Sequence, residues 1–426
     1  MTAPGPDVPL PALRSRLEAV PAEEDGQPVY LLRDLEELSE SSVALSGGGV
    51  FLASLFDGKR TAETLRELFV QGTGSEIKVE TILELARALE DAGYLETPAL
   101  AERRRKALEA FRASGRRPAV FAGPSYPAEP PVLSHRLSDF FTAERGPGKP
   151  AAESPDKPAP LGLVAPHIDF GRGGPSYAWS YRALSERRPP DVVVSFGVAH
   201  VSPDTPWIFT PKAYETPFGA LEVDAPLYDA LADKVWYDPR ADEWAHKNEH
   251  SLEFQAVWLK YLWREKTPPW VPILVSSFER FSPDEVPSKA AALDKAIRDF
   301  AGVLKEQQDA GRRVTILAGI DLAHVGRRFG DELELTPDLE RKIEAEDRRS
   351  LVDALALDAD GFYRSAVGDG AWRKVCGLSA LYTSVRLIKE LGGASAAPGR
   401  LLSYGQAPDP AGGIVSFASA VFDPKG

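Results

Sequence analysis

Short apolar runs bounded by glycine and proline recur through the second half of the chain. Residues 161–165 form one such run and residues 192–196 form another, with a glycine-rich turn and a helix-like segment between them. Runs of this kind are typical of buried parallel strands, and a helix between two of them makes a β–α–β unit. Similar runs at 271–276 and 314–318 continue the pattern. The second half therefore predicts an α/β domain with a mostly parallel central sheet flanked by helices.

The remaining segments of this half complete the alternation of helices and strands. They are helix-like at 283–308, 337–355 and 376–391, and strand-like at 401–404 and 414–422. Residues 143–160 contain five prolines and no periodicity, which predicts a loop or linker.

The first hundred residues follow a different pattern. Residues 1–27 are rich in proline and acid and predict a flexible tail. Between 28 and 97, Thr61 can cap a helix with apolar residues at helical spacing, and a second apolar stripe follows. Two or three helices and a small β element predict an α+β, winged-helix-like domain. A charged helical connector over 98–112 then leads to the main domain, 113–426.

Charge and cysteine content indicate which binding partners and which cellular compartment to expect. The net charge of −13 argues against non-specific nucleic-acid binding, and the small domain is itself acidic, which favours protein contact over DNA. Cys376 is the single cysteine, so an internal disulfide is impossible and a reducing cytoplasm is expected. The start of the chain lacks the pattern of a signal peptide, and no apolar run approaches 18 residues, so we expect no membrane span.

Two histidines follow the first two predicted strands. His167 comes directly after the run 161–165, and His200 ends the segment that begins at residue 192. Ligands of open α/β sheets bind outside the carboxyl ends of the strands, and neutral imidazole is the commonest transition-metal ligand. Either histidine alone is compatible with an ordinary loop residue. Two at equivalent strand ends indicate a metal site.

Two further clusters repeat this chemistry. The run that begins at residue 314 delivers Asp321 and His324. Cys376 stands at the predicted start of a helix, where the helix dipole favours a thiolate and hence metal binding or reactivity. A small buried hydrophobe is the alternative role for this cysteine.

The string His246-x-x-Glu249-His250 matches the inverted zinc-peptidase motif. On one helix, His246 and His250 would share a face and Glu249 would be available as a base. The residues just upstream, Pro239 and Asp242 among them, predict a loop instead. This pattern leaves a zinc peptidase as the less favoured hypothesis.

From about residue 113 onward the chain resembles the Memo-like proteins, also called AmmeMemoRadiSam system protein B. Seven segments carry the resemblance in the family's order: FAGPSYP at 121–127, APH at 165–167, GVAH at 197–200, ETPFG at 215–219, EHSLE at 249–253, DLAH at 321–324 and VCG at 375–377. The domain over 28–97 is similar to the PqqD-like domains that bind peptides for radical-SAM modifying enzymes.

The resemblance implies the fold of the class III extradiol ring-cleaving dioxygenases. It also implies a metal site of two histidines and a cysteine, which correspond here to His167, His200 and Cys376. Asp321 and His324 match the family's nearby acid and histidine. His250 matches the histidine of its EHS motif.

In the dioxygenase relatives, two histidines and a carboxylate hold Fe(II). A cysteine in place of the carboxylate makes the site softer, which favours iron or copper and permits zinc. The resemblance then assigns His250 or His324 to acid–base work, with Asp321 orienting a histidine or bound water.

The chain departs from the family next to two of these histidines. Ile168-Asp169-Phe170 stands where the family usually has Ala-Gly-Tyr, and Ala199 stands where serine is common. These changes remove hydroxyl groups and add a carboxylate, so the family's substrate contacts do not transfer.

Two function classes follow from the resemblance, and the sequence leaves open whether the protein is an enzyme. The first is a metal-dependent oxidoreductase with an unknown substrate. The second is a metal-binding adaptor in a radical-SAM-associated modification system. Its expected partners are radical-SAM and AMMECR-type proteins, with a peptide at the N-terminal domain.

Overall fold

The computed structural model describes residues 7–15, 17–24, 26–34, 36, 38–39, 41–201, 203–283, 285–393, 397–409 and 412–424. The chain divides into two compact units, Met1–Ala113 and Ser114–Gly426. Across the described ranges, no helix combines the length and the apolar character that a bilayer-spanning segment needs.

The first unit consists of a small antiparallel sheet followed by helices. Its strands are β1 (Leu17–Glu24), β2 (Gln27–Asp34) and β3 (Val43–Leu45), in the order β1-β2-β3. Its helices are α1 (Gly47–Ser54), α2 (Ala62–Thr73), α3 (Val79–Asp91) and α4 (Pro98–Ala113). The side chain of Thr61 accepts a hydrogen bond from the backbone N–H of Thr64 and caps α2, as the sequence predicts.

The flexible tail predicted over residues 1–27 is wrong for its second part. Leu17–Glu24 pair with β2 along eight residues, from Leu17 opposite Asp34 to Glu24 opposite Gln27. Ladder hydrogen bonds satisfy this backbone whatever the side chains are, and Pro21 is tolerated because β1 is an edge strand. Residues 1–6 of the expected tail lie outside the described residues.

The second unit is an α/β domain. Its strands are β4 (Arg116–Arg117), β5 (Gly162–Ala165), β6 (Val192–Val198), β7 (Trp207–Phe209), β8 (Ala213–Tyr214), β9 (Trp270–Val275), β10 (Val314–Gly319), β11 (His324–Gly326), β12 (Arg400–Asp409) and β13 (Gly413–Phe422). Its helices are α5 (Pro130–Thr142), α6 (Phe170–Ser185), α7 (Ala225–Ala232), α8 (His250–Trp263), α9 (Ala291–Asp309), α10 (Pro337–Leu355), α11 (Ala359–Val367) and α12 (Leu378–Gly392). Residues 143–160 form a loop between α5 and β5.

Within the described residues, the large sheet has the order β11-β13-β5-β10-β6-β9-β7, and β12 pairs with β13. The four central strands, β5, β10, β6 and β9, are parallel, whereas the pairings outside them are antiparallel. The α/β fold class predicted from the sequence is confirmed, with parallel pairing confined to the centre of the sheet.

Each face of this sheet packs against its own helices. Val192, Val194 and Phe196 of β6 belong to a core that also contains residues of α7, α9 and α12. Val193, on the opposite face of the same strand, belongs to a core built with α5, α6 and α8. Because successive strand side chains point to opposite faces, the continuous apolar runs of the sequence reflect burial on both sides.

Three adjacent parallel strands bring the predicted site residues together. β10 lies between β5 and β6, so the carboxyl ends of all three strands meet at one edge of the sheet. His167, Asp321 and His200 each come two residues after β5, β10 and β6, respectively. This register, rather than proximity in the sequence, defines the candidate site.

Candidate metal centre

His167 is held by the neighbouring strand β10. Its ring is buried and its Nδ1–H donates to the carbonyl oxygen of Gly319 at 3.1 Å. Its backbone N–H donates to Oδ1 of Asp321 at 3.0 Å. Since a carbonyl oxygen can only accept, Nδ1 carries a proton, and Nε2 is the nitrogen left for another partner.

His200 is oriented by Glu249, the residue that caps α8. Its Nδ1 lies 3.0 Å from both carboxylate oxygens of Glu249, and its backbone N–H donates to Oε2 at 3.0 Å. The same carboxylate accepts from the backbone N–H of Ser251 at 2.9 Å. The Ser251 hydroxyl in turn bonds both backbone groups of Val198, so α8 is fastened to the end of β6.

His250 is the first residue of α8 and completes a group of three imidazoles. Its ring centroid lies 5.2 Å from that of His167 and 4.7 Å from that of His200. One ring nitrogen from each of the three histidines can be chosen so that all three lie within 4.8 Å of one another. His250 was predicted for acid–base work, and the structure places it where it could also bind a metal.

The thiol of Cys376 contacts the ring of His167. Its Sγ is 3.5 Å from Nε2 of His167 and 3.6 Å from the carbonyl oxygen of Asp321. The cysteine precedes α12, and its backbone N–H donates to Leu322 at 3.3 Å. The residue predicted as third ligand is therefore in contact with one of the two predicted histidine ligands.

Asp321 and His324 border the same group. Oδ2 of Asp321 lies 3.6 Å from Nε2 of His167, in addition to the backbone bond described above. Nδ1–H of His324 donates to the carbonyl oxygen of Leu322 at 3.1 Å, and its ring meets that of Phe329 edge-on at 5.1 Å. All six predicted site residues thus converge on one region.

The charges in this region are coupled. Burial disfavours a charged His167, but the carboxylate of Asp321 and the thiolate of Cys376 outweigh it and raise its pKa to about 9. Burial likewise opposes a thiolate, yet the imidazoles of His324 and His167 hold the pKa of Cys376 well below its ordinary value. The site therefore favours a thiolate, a form that binds metals.

Glu249 shows the same balance between burial and neighbouring charges, whereas His250 shows the opposite one. Burial opposes a charged Glu249, but the cationic ring of His200 keeps the pKa of this carboxyl below its ordinary range. Burial lowers the pKa of His250 to about 3 despite the adjacent Glu249. His250 is consequently neutral near pH 7, as a metal ligand or a general base must be.

The inverted zinc-peptidase motif does not form. α8 begins at His250, and His246 ends a separate short 3₁₀ helix, Glu243–His246. The hydroxyl of Tyr214 donates to Nδ1 of His246 at 2.7 Å, and Nε2–H donates to the carbonyl oxygen of Ile208 at 3.0 Å. With both ring nitrogens occupied in the core, His246 has no lone pair for a metal.

A buried network missed by the sequence analysis supports α8. The carboxylate of Glu253 accepts from the guanidinium of Arg117, from the hydroxyl of Tyr126 and, at 3.0 Å, from the backbone N–H of Phe121. Phe121 then packs edge-on against His250 with ring centroids 5.7 Å apart. The segment FAGPSYP therefore packs beside His250. Besides the family resemblance that this segment carries, the local sequence signal of the network is Glu253, an acid between Leu252 and Phe254.

A second missed network supports the loop after β10. Asp347 in α10 accepts from Arg373 at 2.5 Å and from the hydroxyl of Ser416 at 2.5 Å. The Ser416 hydroxyl accepts from the backbone N–H of Ala323. The carbonyl oxygen of Arg373 accepts from the backbone N–H of His324 at 2.7 Å. No periodicity marks these residues, which are far apart in the sequence.

The site opens into a cavity of about 350 Å³. Its floor is formed by four histidines and an aspartate, and its walls by aromatic and aliphatic side chains. At its mouth lie Arg172 and Arg328. Cys376 lines a separate cavity of about 360 Å³, which it shares with His200.

The donor set fits a transition metal. Imidazole nitrogen with an optional thiolate suits iron, copper or zinc, whereas calcium and magnesium prefer oxygen. His167, His200 and His324 each hold Nδ1–H on an oxygen acceptor, and Nδ1 of His250 lies 3.3 Å from Glu249. Metal-ligating histidines are anchored in this way, with the second nitrogen left for the ion.

Comparison with known proteins gives one consistent result. The family model described as Memo-like protein matches residues 116–421. A MEMO1 family protein of Aquifex aeolicus is 28% identical over 394 residues, covering 92% of this chain and 96% of that protein. Relatives called MEMO1 family proteins from Methanopyrus kandleri (30% identical; 72% of this chain, 98% of the relative) and Thermus thermophilus (31%; 71% and 81%) match as well. The Aquifex alignment is longer than the second unit, so this similarity extends into the first.

Proposed function

The chain belongs to the Memo-like protein family, and we propose that its second unit binds a transition-metal ion, iron or copper, and acts as an oxidoreductase on an unidentified small substrate. Zinc is chemically permitted by the same donors.

One observation carries this proposal. Three histidines, His167, His200 and His250, bring ring nitrogens within 4.8 Å of one another, and His324 lines the same cavity. Each of the four has Nδ1 beside an oxygen atom. A core histidine needs no such arrangement, because both of its nitrogens can bond within the core, as those of His246 do. The shared pattern is that of ligands anchored for an ion.

His167 and His200 belong to the proposed ligand set in every case. Cys376 is the third ligand that the family resemblance supplies, and its contact with His167 supports this choice. His250 is the third ligand favoured by the grouping of ring nitrogens. A thiolate in the set would make the site softer, which favours iron or copper and also permits zinc.

The surrounding residues supply the rest of the chemistry. When bound, the metal would supply a redox-active Lewis acid at the floor of the cavity. Asp321 holds the backbone of His167 while the carbonyl oxygen of Gly319 orients its ring, and Glu249 orients the ring of His200. When it is not a ligand, His250 keeps one ring nitrogen without a proton near pH 7, and His324 holds a proton at Nδ1. The ring of Phe121 limits the access of water to His250.

Anaerobic loading of the full chain with Fe(II) or Cu(I) tests the proposal. We expect about one equivalent per chain, lost in His167→Ala and in His200→Ala but retained in the control His135→Ala, an exposed histidine on α5. Loaded protein is then assayed for oxygen consumption over a panel of small substrates. Metal binding without turnover of any substrate would contradict the oxidoreductase and leave the second candidate.

That second candidate is a metal-binding adaptor in a radical-SAM-associated modification system. The separate compact first unit supports it, since an acidic module of one small sheet and four described helices suits protein or peptide contact. The proposed partners are radical-SAM and AMMECR-type proteins. Hydrogen exchange of the full chain with each purified partner tests this role, with protection expected in the first unit.

A further inference from the structure

We infer that the 350 Å³ cavity above the metal centre takes a small organic carboxylate, whose charged group is held by Arg172 and Arg328 and whose apolar body lies against phenylalanine rings. The inference deepens the proposed function and rests on it, because the proposed metal centre forms the floor of the cavity.

The two arginines stand together at the mouth of the cavity, although 156 positions separate them. Arg172 belongs to the first turn of α6, and Arg328 lies in the short helix after β11. Nη1 of Arg172 and Nε of Arg328 are each 3.4 Å from the same oxygen, Oδ2 of Asp409. Two guanidinium groups therefore contact one carboxylate oxygen and lie close to each other at the opening.

The carboxylates at this mouth are engaged by the two arginines, whereas each guanidinium keeps N–H groups beyond the contacts it makes with Asp169 or Asp409. Asp169 caps α6 and binds Nε of Arg172 at 2.5 Å, so the carboxylate that distinguishes this chain from its family serves the arginine. Asp321, on the floor, is bonded to His167. Arg328 contacts Asp409 through Nε alone, which leaves its terminal N–H groups for a ligand, and its side chain is 53% exposed. The complement of such a surface is a ligand with acceptor oxygens, and a planar guanidinium fork suits a carboxylate.

The walls of the cavity define the rest of the ligand. Phe121 and Phe254 stand edge-on to His250, at 5.7 and 5.4 Å between ring centroids, and Phe329 stands edge-on to His324. Ile168 and Val415 complete the apolar lining. A cavity of this volume fits a ligand near the small end of the usual range, with one ring or a branched chain.

Isothermal titration calorimetry with benzoate and its uncharged analogue benzamide tests the assignment, first on the metal-free full chain. We expect benzoate to bind about tenfold more tightly than benzamide, and Arg328→Gln to remove about that factor, as for a hydrogen bond to a charged group. Arg328→Lys should keep part of the preference because it keeps the charge. The control Arg341→Gln, an exposed arginine of α10, should bind benzoate like the parent.

Equal affinity for benzoate and benzamide, or an unchanged preference in both Arg328→Gln and Arg172→Gln, would overturn the inference. Binding of inorganic phosphate but not benzoate would also overturn it, since the apolar walls would then play no part.

Repeating the titration on metal-loaded protein separates this inference from the proposed function. Benzoate binding that needs the metal and ignores the arginines would mean that the carboxylate binds the ion itself; the inference would then fail while the metal site stands. Arginine-dependent binding in a chain that takes up no metal would support the anion site and refute the proposed function.

Discussion

Nδ1 of His200 lies 3.0 Å from both carboxylate oxygens of Glu249, and the backbone N–H of the same histidine donates to that carboxylate as well. One buried side chain therefore fixes both the position and the rotation of a proposed ligand. Glu249 also caps α8, so the orientation of His200 and the start of the helix that carries His250 depend on the same group.

Replacing Glu249 by glutamine should weaken metal binding by about 10- to 100-fold, the usual effect of losing an orienting carboxylate behind a ligating histidine. Glutamine keeps an oxygen for the backbone N–H of Ser251, so α8 should remain capped. Competition with a chelator measures the affinity, and Glu344→Gln on the surface of α10 is the matched control. An affinity within twofold of the parent would show that Glu249 has only a structural role.

Cys376→Ser and His250→Gln distinguish the two proposed ligand sets. If the thiolate is a ligand, the Co(II)-loaded parent should show a thiolate-to-metal charge-transfer absorption that disappears in Cys376→Ser and persists in His250→Gln. Both variants should fold, because each replaces a side chain by one of similar size. Full metal occupancy with an unchanged spectrum in Cys376→Ser would remove the cysteine from the ligand set.

Asp347→Asn should destabilise the second unit by about 3–5 kcal/mol, because it leaves the buried guanidinium of Arg373 without its charge partner. The loop carrying His324 should loosen with it, since Arg373 and Ser416 both bond that loop. Urea unfolding gives the stability. The double variant Asp347→Leu, Arg373→Met removes both buried charges and should recover much of the stability that Asp347→Asn loses. A double variant as unstable as Asp347→Asn would mean that lost packing, and not the unpaired charge, causes the destabilisation.

Gly197→Ala should destabilise the protein by about 1–3 kcal/mol through overpacking. A Cβ at this position, near the end of β6, would come within 2.6 Å of the Leu252 side chain and of the Ser251 hydroxyl. Relief requires α8 to move away from the strand, and His200 and His250 should move apart. Gly302→Ala is the control, because the space beside that glycine of α9 is open. A thermal midpoint equal to that of the control would contradict the close packing of α8.

The first unit should lose stability in acid through Asp34. Although burial opposes its charge, hydrogen bonds from Arg14 and Ser39 lower the pKa of this carboxyl to about 2, from an ordinary 3.8. Because the pKa of Asp34 is lower in the folded than in the unfolded chain, its charge stabilises the fold by about 2 kcal/mol. This contribution to the free energy of unfolding is complete above pH 3.8 and is lost as the pH falls towards 2. Amide exchange of the first unit in the intact chain, compared with Asp34→Asn, measures it. An equal acid response in both proteins would contradict the assignment.

Local patterning was sufficient for the central strands and for His167, His200 and Asp321, whereas the ligand role of Cys376 and the role of His250 came from the family resemblance. The strands that carry His167, His200 and Asp321 are buried on both faces, so their apolar runs stand out in the sequence. The rule that ligands bind at carboxyl strand ends then placed these residues together. β1 was missed because an edge strand with half-exposed side chains carries no apolar alternation.

The residues that support the site were beyond sequence reasoning. The loop signal at Pro239 and Asp242 argues against a single helix over His246 and His250, but it does not show that Glu249 caps α8 and holds His200. Asp347 and Arg373 form their pair only after α10 and the loop before α12 have packed. Such long-range polar contacts depend on tertiary geometry and leave no local periodicity.

The place of β10 in the sheet has a consequence for biosynthesis. It lies between β5 and β6, yet the ribosome makes it after β5, β6 and β9. Until residue 319 has emerged, β5 and β6 have no partner between them and leave backbone N–H and C=O groups unpaired along their edges. His167, His200 and His250 are all synthesised by then, but the strand that sets their spacing is missing. Metal capture should therefore be post-translational, and a nascent chain stalled before β10 should depend on chaperones to avoid aggregation.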